Sequence, residues 1–138
     1  MKTAVDSSVL LDVLGADPVF GPSSREALRV AFDAGTLVAC DVVWSEVRAH
    51  FPDDETFDDA VAGLGLSFSP VSRAAARLAG ELWRQHHARS SQPRSRVVAD
   101  FLIGAHAQID AEALLTRDRG FFRKYFKQIK IHQPDGRP

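Results

Sequence analysis

Four carboxylates are set in or beside apolar runs of this chain. Asp6 follows Thr3-Ala4-Val5, and Glu46 follows Val42-Val43-Trp44-Ser45. Asp100 lies inside Val97-Val98-Ala99-Asp100-Phe101-Leu102-Ile103-Gly104-Ala105, and Asp118 comes just after Ala113-Leu114-Leu115-Thr116. A carboxylate in apolar surroundings needs a partner charge, a cation or a proton. Four of them around one sheet edge would repel strongly without a cation. Mg²⁺ and Mn²⁺ prefer oxygen ligands, and Mg²⁺ keeps waters and accepts phosphate oxygens. Such a site can polarise a phosphodiester, generate a hydroxide nucleophile and stabilise the leaving oxygen. Cys40 is the single cysteine, so no internal disulfide is expected, and no Cys/His cluster suggests zinc.

Each acid also has a plainer explanation. Asp6 and Asp118 both stand between a strand-like run and a helix-like one, where an N-cap would account for them. Asp100 could occupy the polar edge of its helix. Glu46 could face solvent from its own. The elements that must bring them together read as follows. Thr3 to Val5, Thr36 to Ala39, Ser67 to Val71, Ala113 to Thr116 and Ile129 to His132 are the strand candidates. Helices are expected through Val9–Leu14, then after a Ser23 or Ser24 cap, after Asp41 as a cap, and after Pro52-Asp53-Asp54. Two more run from Ser72 and over Val97–Gln108, and Gly120–Phe126 makes one or two turns. Arg89 to Arg96 is polar, contains Pro93 and reads as a loop. Strands alternating with helices predict a three-layer α/β/α sandwich with a mostly parallel central sheet. In such sheets ligands bind beyond the carboxyl ends of the strands. Asp6 and Asp118 sit past such ends, so neighbouring strands would aim both into one crevice.

At 138 residues and 45% hydrophobic content, the chain fits one domain, residues 1–138, with a sizeable core. No apolar run reaches the roughly 20 residues of a membrane helix, and the N-terminal stretch meets Asp6 and Asp12 too early for a secretory segment. A cytoplasmic protein is expected. The net charge of −1 conceals an asymmetry. Residues 1–70 hold 12 acids and 4 bases, whereas residues 71–138 hold 6 acids and 13 bases. That fits either an ordinary solvated surface or a basic face for a polyanion.

Four segments carry a family resemblance: Val5-Asp6-Ser7-Ser8-Val9-Leu10-Leu11, Val43-Trp44-Ser45-Glu46-Val47, Ala99-Asp100-Phe101-Leu102-Ile103-Gly104-Ala105-His106-Ala107, and Leu114-Leu115-Thr116-Arg117-Asp118-Arg119-Gly120-Phe121-Phe122. In order and spacing the chain resembles PIN-domain ribonucleases, and closely the VapC-type toxins of type II toxin–antitoxin modules, over residues 2–134. The resemblance implies a sheet of about five strands and a Mg²⁺ or Mn²⁺ site formed by Asp6, Glu46, Asp100 and Asp118. It implies supporting hydroxyls at Ser7, Ser8 and Thr116. It also implies a homodimer, an RNA substrate such as a transfer RNA or ribosomal RNA loop, and a cognate VapB-like antitoxin laid over the catalytic groove.

Arg117, Arg119, Arg123, Lys124, Lys127 and Lys130 cluster around Asp118, with Phe121, Phe122, Tyr125 and Phe126 between them. The arginines, above all Arg117 and Arg119, are the RNA-binding candidates, with Arg96 as a further one. Phe122 and Phe126, four residues apart, are expected to anchor the short helix to the core. His106 is some 600° round the helix from Asp100 and is assigned no role, and His86-His87 reads as a solvated helix end. Asp53, Asp54, Glu55, Asp58 and Asp59 read as a solvated helix start. A haloacid-dehalogenase-like phosphatase would place a second Asp at residue 8, where this chain has Ser8. A non-catalytic PIN-fold RNA-binding or scaffold protein is the alternative, against which the intact acids speak.

Overall fold

The computed structural model describes residues 1–87 and 94–134, apart from the side chains of residues 87 and 94–97. Its elements are β1 (Lys2–Val5), α1 (Ser7–Leu14), α2 (Gly21–Ala34), β2 (Thr36–Ala39), α3 (Asp41–Arg48), α4 (Asp54–Gly63) and β3 (Leu66–Phe68), followed by α5 (Arg73–His87), α6 (Arg94–Asp110), β4 (Ala113–Leu115), α7 (Arg119–Tyr125) and β5 (Lys130–His132). The five strands form one wholly parallel sheet in the order β3-β2-β1-β4-β5. The chain therefore builds outward from β1 to β3, then crosses back to lay β4 on the other side of β1. Right-handed crossovers place the helices of these two excursions on opposite faces, giving the three-layer α/β/α sandwich expected. The reversal lies between β1 and β4, so the switch-point crevice opens at the carboxyl ends of those two strands.

The central strands are buried on both faces. Ala4, Val5, Leu114 and Leu115 are all in the core, as continuous apolar runs in a covered parallel sheet require. On α6 the core positions include Phe101, Ile103, Ala105 and Ala107, and α7 adds Phe122, with Phe126 just beyond its end. Gly104 lets these two helices meet: a Cβ there would lie 2.2 Å from the Phe126 ring. Phe122 and Phe126 thus anchor the short helix, as their spacing predicts. Phe121 and Tyr125 are half-buried against Phe101, with ring centroids 5.1 and 4.9 Å away.

Several boundaries differ from the sequence reading, each for a local reason. β3 stops at Phe68 rather than running to Val71, because its neighbour β2 ends at Ala39, whose carbonyl takes the Ser69 N–H, and the chain then turns into α3. Val71 N–H turns instead to the Asp41 carboxylate. Asp41 is consequently not a cap, and Cys40 occupies the cap position of α3. Helix α2 begins at Gly21, with Pro22 in its first turn, so neither Ser23 nor Ser24 caps it; Ser24 is buried with its hydroxyl on Asp12. Asp53 does cap α4, accepting from Thr56 N–H, and the Ser72 hydroxyl accepts from Ala75 N–H. Of the loop expected at Arg89–Arg96, residues 89–93 lie outside the described residues, and from Arg94 the chain is already helical.

The histidines also separate. His106 is buried, with Nε2 2.9 Å from the Ser69 hydroxyl. Burial holds its pKa below the ordinary imidazole value against the opposing pull of Asp110 and Asp41. His86 is not a solvated end: it is half-buried, hydrogen-bonded through Nδ1 to the Tyr125 hydroxyl and packed edge-on against Phe101. His87's side chain lies outside the described residues.

Candidate active site

Asp6 stands directly after β1, where the extended chain turns into α1. It occupies the helix-cap position, yet its side chain makes no capping hydrogen bond. The carboxylate turns toward β4 instead. Thr116 Oγ1 donates to Asp6 Oδ2 at 2.7 Å and Ser8 Oγ donates to the same oxygen at 3.1 Å, while Ser7 Oγ lies 3.5 Å from Oδ1. Both main donors are themselves oriented. Asp118 N–H donates to Thr116 Oγ1 at 2.9 Å, and Arg117 N–H to Ser8 Oγ at 3.4 Å. With backbone donors on their lone pairs, the two hydroxyls keep their protons for Asp6.

Asp6 is 7% exposed and Thr116 wholly buried. Desolvation raises the Asp6 pKa above the usual carboxylate value; the Thr116, Ser8 and Ser7 hydrogen bonds oppose that, and the nearby Asp118 charge adds to it. Asp118 also occupies a cap position, that of α7, without a side-chain cap bond, and is exposed. The N-cap explanation therefore fails for both acids. Glu46, on α3, is exposed at the crevice rim. Its pKa too is raised, first by desolvation and further by the Asp6 charge, with a Ser7 hydroxyl contact pulling the other way. Ser7 thus stands between Asp6 and Glu46.

Asp100 is half-buried on α6, a helix packed on β1 and α3, the elements carrying Asp6 and Glu46. Ten residues later α6 ends at Asp110, just before β4 begins. At 1.5 Å per residue that puts Asp100 about 15 Å further up, on the side of the strands' carboxyl ends. The Asp118 charge acts on Asp6 and the Asp6 charge on Glu46, and Asp100 shares their end of the sheet. Among the described residues no three Asp, Glu, His or Cys side chains are close enough to hold a metal ion as they stand. The donor chemistry fits a hard cation all the same. It consists of carboxylate and hydroxyl oxygens, with the pKa values of Asp6 and Glu46 raised by burial and by a neighbouring acid, and it contains no thiolate or imidazole.

The basic candidates divide. Arg119, Arg123, Lys124, Lys127 and Lys130 are exposed along α7 and β5, on the β4 side of the crevice. Arg117 is not free: its guanidinium grips Asp12 through Nε at 2.7 Å and Nη2 at 3.1 Å. The side chain of Arg96 lies outside the described residues. Asp12, buried at 4% exposure, was singled out by no periodicity or motif; its place amid Val9, Leu10, Leu11, Val13 and Leu14 is the signal that could have marked it. The acids of α4 lie beside β3, at the opposite edge of the sheet from the basic helix α7.

Fold and site together define a doubly wound α/β protein with an acidic crevice at its topological switch point. The PIN domain family matches residues 3–127, and the chain belongs to that family. Among solved structures, VapBC2 from Rickettsia felis bound to a DNA fragment from its promoter superposes with a TM-score of 0.74 at 16% identity, covering 98% of this chain and 100% of the other. DNA-bound VapBC from Salmonella typhimurium gives 0.71 at 15% identity, over 96% and 98% of the two chains. VapBC-1 from nontypeable Haemophilus influenzae gives 0.64 at 14%, over 96% and 98%. At these identities the likeness is one of fold. No curated protein sequence matches the chain.

Proposed function

We propose that the protein is a metal-dependent endoribonuclease of the VapC type, the toxin of a toxin–antitoxin module. The observation that carries this is the Asp6 carboxylate, buried at the switch point, held by two pre-oriented hydroxyls and charge-coupled to Asp118 and Glu46. A structural carboxylate would be neutralised by an arginine or lysine; among the described residues this one meets hydroxyl donors and a neighbouring acid. Asp6 and Asp100 would hold Mg²⁺ or Mn²⁺ directly, with Asp118 and Glu46 binding it directly or through water. When bound, the ion would supply Lewis-acid polarisation of a phosphodiester and lower the pKa of an attacking water.

The chain's own residues would do the rest. Thr116 and Ser8 fix the Asp6 carboxylate in one orientation, which limits the reorganisation needed when charge develops. Arg119 and Arg123 would hold RNA phosphates beside the crevice, and the acidic α4 at the far edge would disfavour RNA there. Phe122 and Phe126, fully buried, are not available for base stacking. The three similar structures are of VapBC assemblies, which supports a VapB-like antitoxin as this chain's partner, lying over the groove. A homodimer and a cytoplasmic location accompany that reading. No helix among the described residues is long and apolar enough to cross a membrane.

The test is cleavage of total RNA by the purified protein with Mg²⁺ or Mn²⁺, with EDTA, and with Asp100→Asn. Metal-dependent cleavage lost in the variant supports the reading. Full activity in EDTA or in the variant overturns it, and no cleavage by wild type under any metal leaves the non-catalytic scaffold as the better account.

A further inference from the structure

Arg117 lies between Thr116 and Asp118, the two residues of the β4–α7 connection that engage the crevice, and its side chain points the other way. Along an extended chain alternate side chains face opposite sides. Thr116 therefore faces Asp6, while Arg117 reaches back to α1 and the turn before α2. There it meets a built receptor. Its fork chelates both oxygens of Asp12, and its guanidinium carbon lies 4.1 Å from the centre of the Phe20 ring. Asp12 is itself held by the Ser24 hydroxyl at 2.8 Å, and Phe20 N–H by Asp17 Oδ1 at 2.8 Å. Asp17 N–H in turn bonds the Asp12 carbonyl at 2.9 Å. Asp12's side chain is 5% exposed and Arg117's 34%, so this pair is shielded from the screening that weakens surface ion pairs.

We infer that Arg117 is a positioning residue: the Asp12–Arg117–Phe20 clamp fastens the β4–α7 connection to α1, so that Thr116 and Asp118 meet Asp6 in register. The inference rests on the nuclease reading of the crevice and adds to it a residue that acts through others. Three fastenings join the two segments: Thr116 to Asp6, the Arg117 amide to Ser8, and the Arg117 side chain to Asp12. The third is the only one of them made outside the crevice, so it can hold the geometry without occupying space the substrate needs. A bidentate arginine stacked on an aromatic ring is also geometrically demanding, and lysine cannot reproduce it. A basic residue beside a catalytic acid looks like a phosphate contact in sequence; here its hydrogen-bonding edge is turned onto Asp12.

The test compares Asp12→Asn, Arg117→Gln, Arg117→Lys and Arg119→Gln in RNA cleavage, with melting curves to verify folding. The clamp predicts that Asp12→Asn and Arg117→Gln lose about a hundredfold in kcat, the scale of a misplacement near 1 Å, with KM unchanged. The slope of log affinity against log salt stays at the wild-type value in both. Arg117→Lys regains part of the rate. Should Arg117→Gln fail to fold, Asp12→Asn and Arg117→Lys carry the comparison. A phosphate-binding Arg117 gives the opposite pattern: KM rises and the salt slope falls by about one in Arg117→Gln, while Asp12→Asn keeps its rate. That pattern overturns the inference. If wild type cleaves no RNA, the nuclease reading fails, and hydrogen exchange at the Asp118 amide decides the clamp alone. Faster exchange in Asp12→Asn supports it; exchange unchanged from wild type overturns it.

Discussion

Thr116 Oγ1 donates to Asp6 at 2.7 Å while accepting from the Asp118 amide at 2.9 Å, so one buried hydroxyl ties together two acids 112 residues apart in sequence. Thr116→Val keeps the shape and removes both bonds. It should cost about 1–3 kcal/mol of stability, because the partners left behind are poorly placed to find water. Activity should fall further than that loss explains, and Thr116→Ser should retain most of it. Urea unfolding and RNA cleavage on the same preparations measure both.

Asp6→Asn should abolish cleavage and leave the fold intact. Burial raises the Asp6 pKa, so its charge is a cost to the folded protein when no cation is present. The variant is therefore expected to melt at or above the wild-type temperature in EDTA. With Mg²⁺ or Mn²⁺ added, only wild type should gain stability, since an ion that binds the folded state alone raises its melting point. A metal-induced shift of equal size in the variant would count against Asp6 as a ligand.

Arg119 and Arg123 are exposed beside the crevice and paired with no acid among the described residues. Replacing either by Gln should raise KM, leave kcat near wild type and lower the salt slope by about one, the signature of a lost phosphate contact. Steady-state cleavage kinetics give KM and kcat, and RNA binding across a salt series, with the Asp100→Asn exchange added to prevent cleavage, gives the slope.

Gly104→Ala should destabilise the protein by about 1–3 kcal/mol, the usual cost of overpacking a core. The added methyl would overlap the Phe126 ring, and relief requires α7 to shift away from α6. Because α7 begins at Arg119, directly after Asp118, cleavage should weaken as well. Thermal melts and activity at a temperature where the variant is still folded separate the two effects.

His106 gives a pH dependence with a definite sign. Its pKa is held below the unfolded value of about 6.5, so the unfolded chain binds the proton more readily. The stability conferred by the neutral, buried ring is present above about pH 6.5 and is lost as pH falls toward the folded-state value. His106→Gln should flatten that part of the stability–pH curve, read from urea midpoints between about pH 5 and 7.5. An unchanged curve would show that another group is responsible.

The sequence by itself determined the layered plan and the candidate acids. Strand-like runs at Thr3–Val5 and Ala113–Thr116 alternate with helical periodicity, and two-sided burial in a parallel sheet demands such continuous apolar runs. Asp6 and Asp118 were visible because charge directly after such runs is conspicuous, and Phe122 with Phe126 because four-residue spacing defines one helix face. Tertiary structure decided which partners these groups take. Whether Asp6 is a cap or a site residue depends on Thr116, and whether Arg117 faces RNA or Asp12 depends on a contact across 105 residues. Periodicity reports which face of an element is buried; it carries no information about which distant element will cover that face. Asp12, inside an apolar helix with its partner far along the chain, could be understood only once the sheet had brought β4 beside β1.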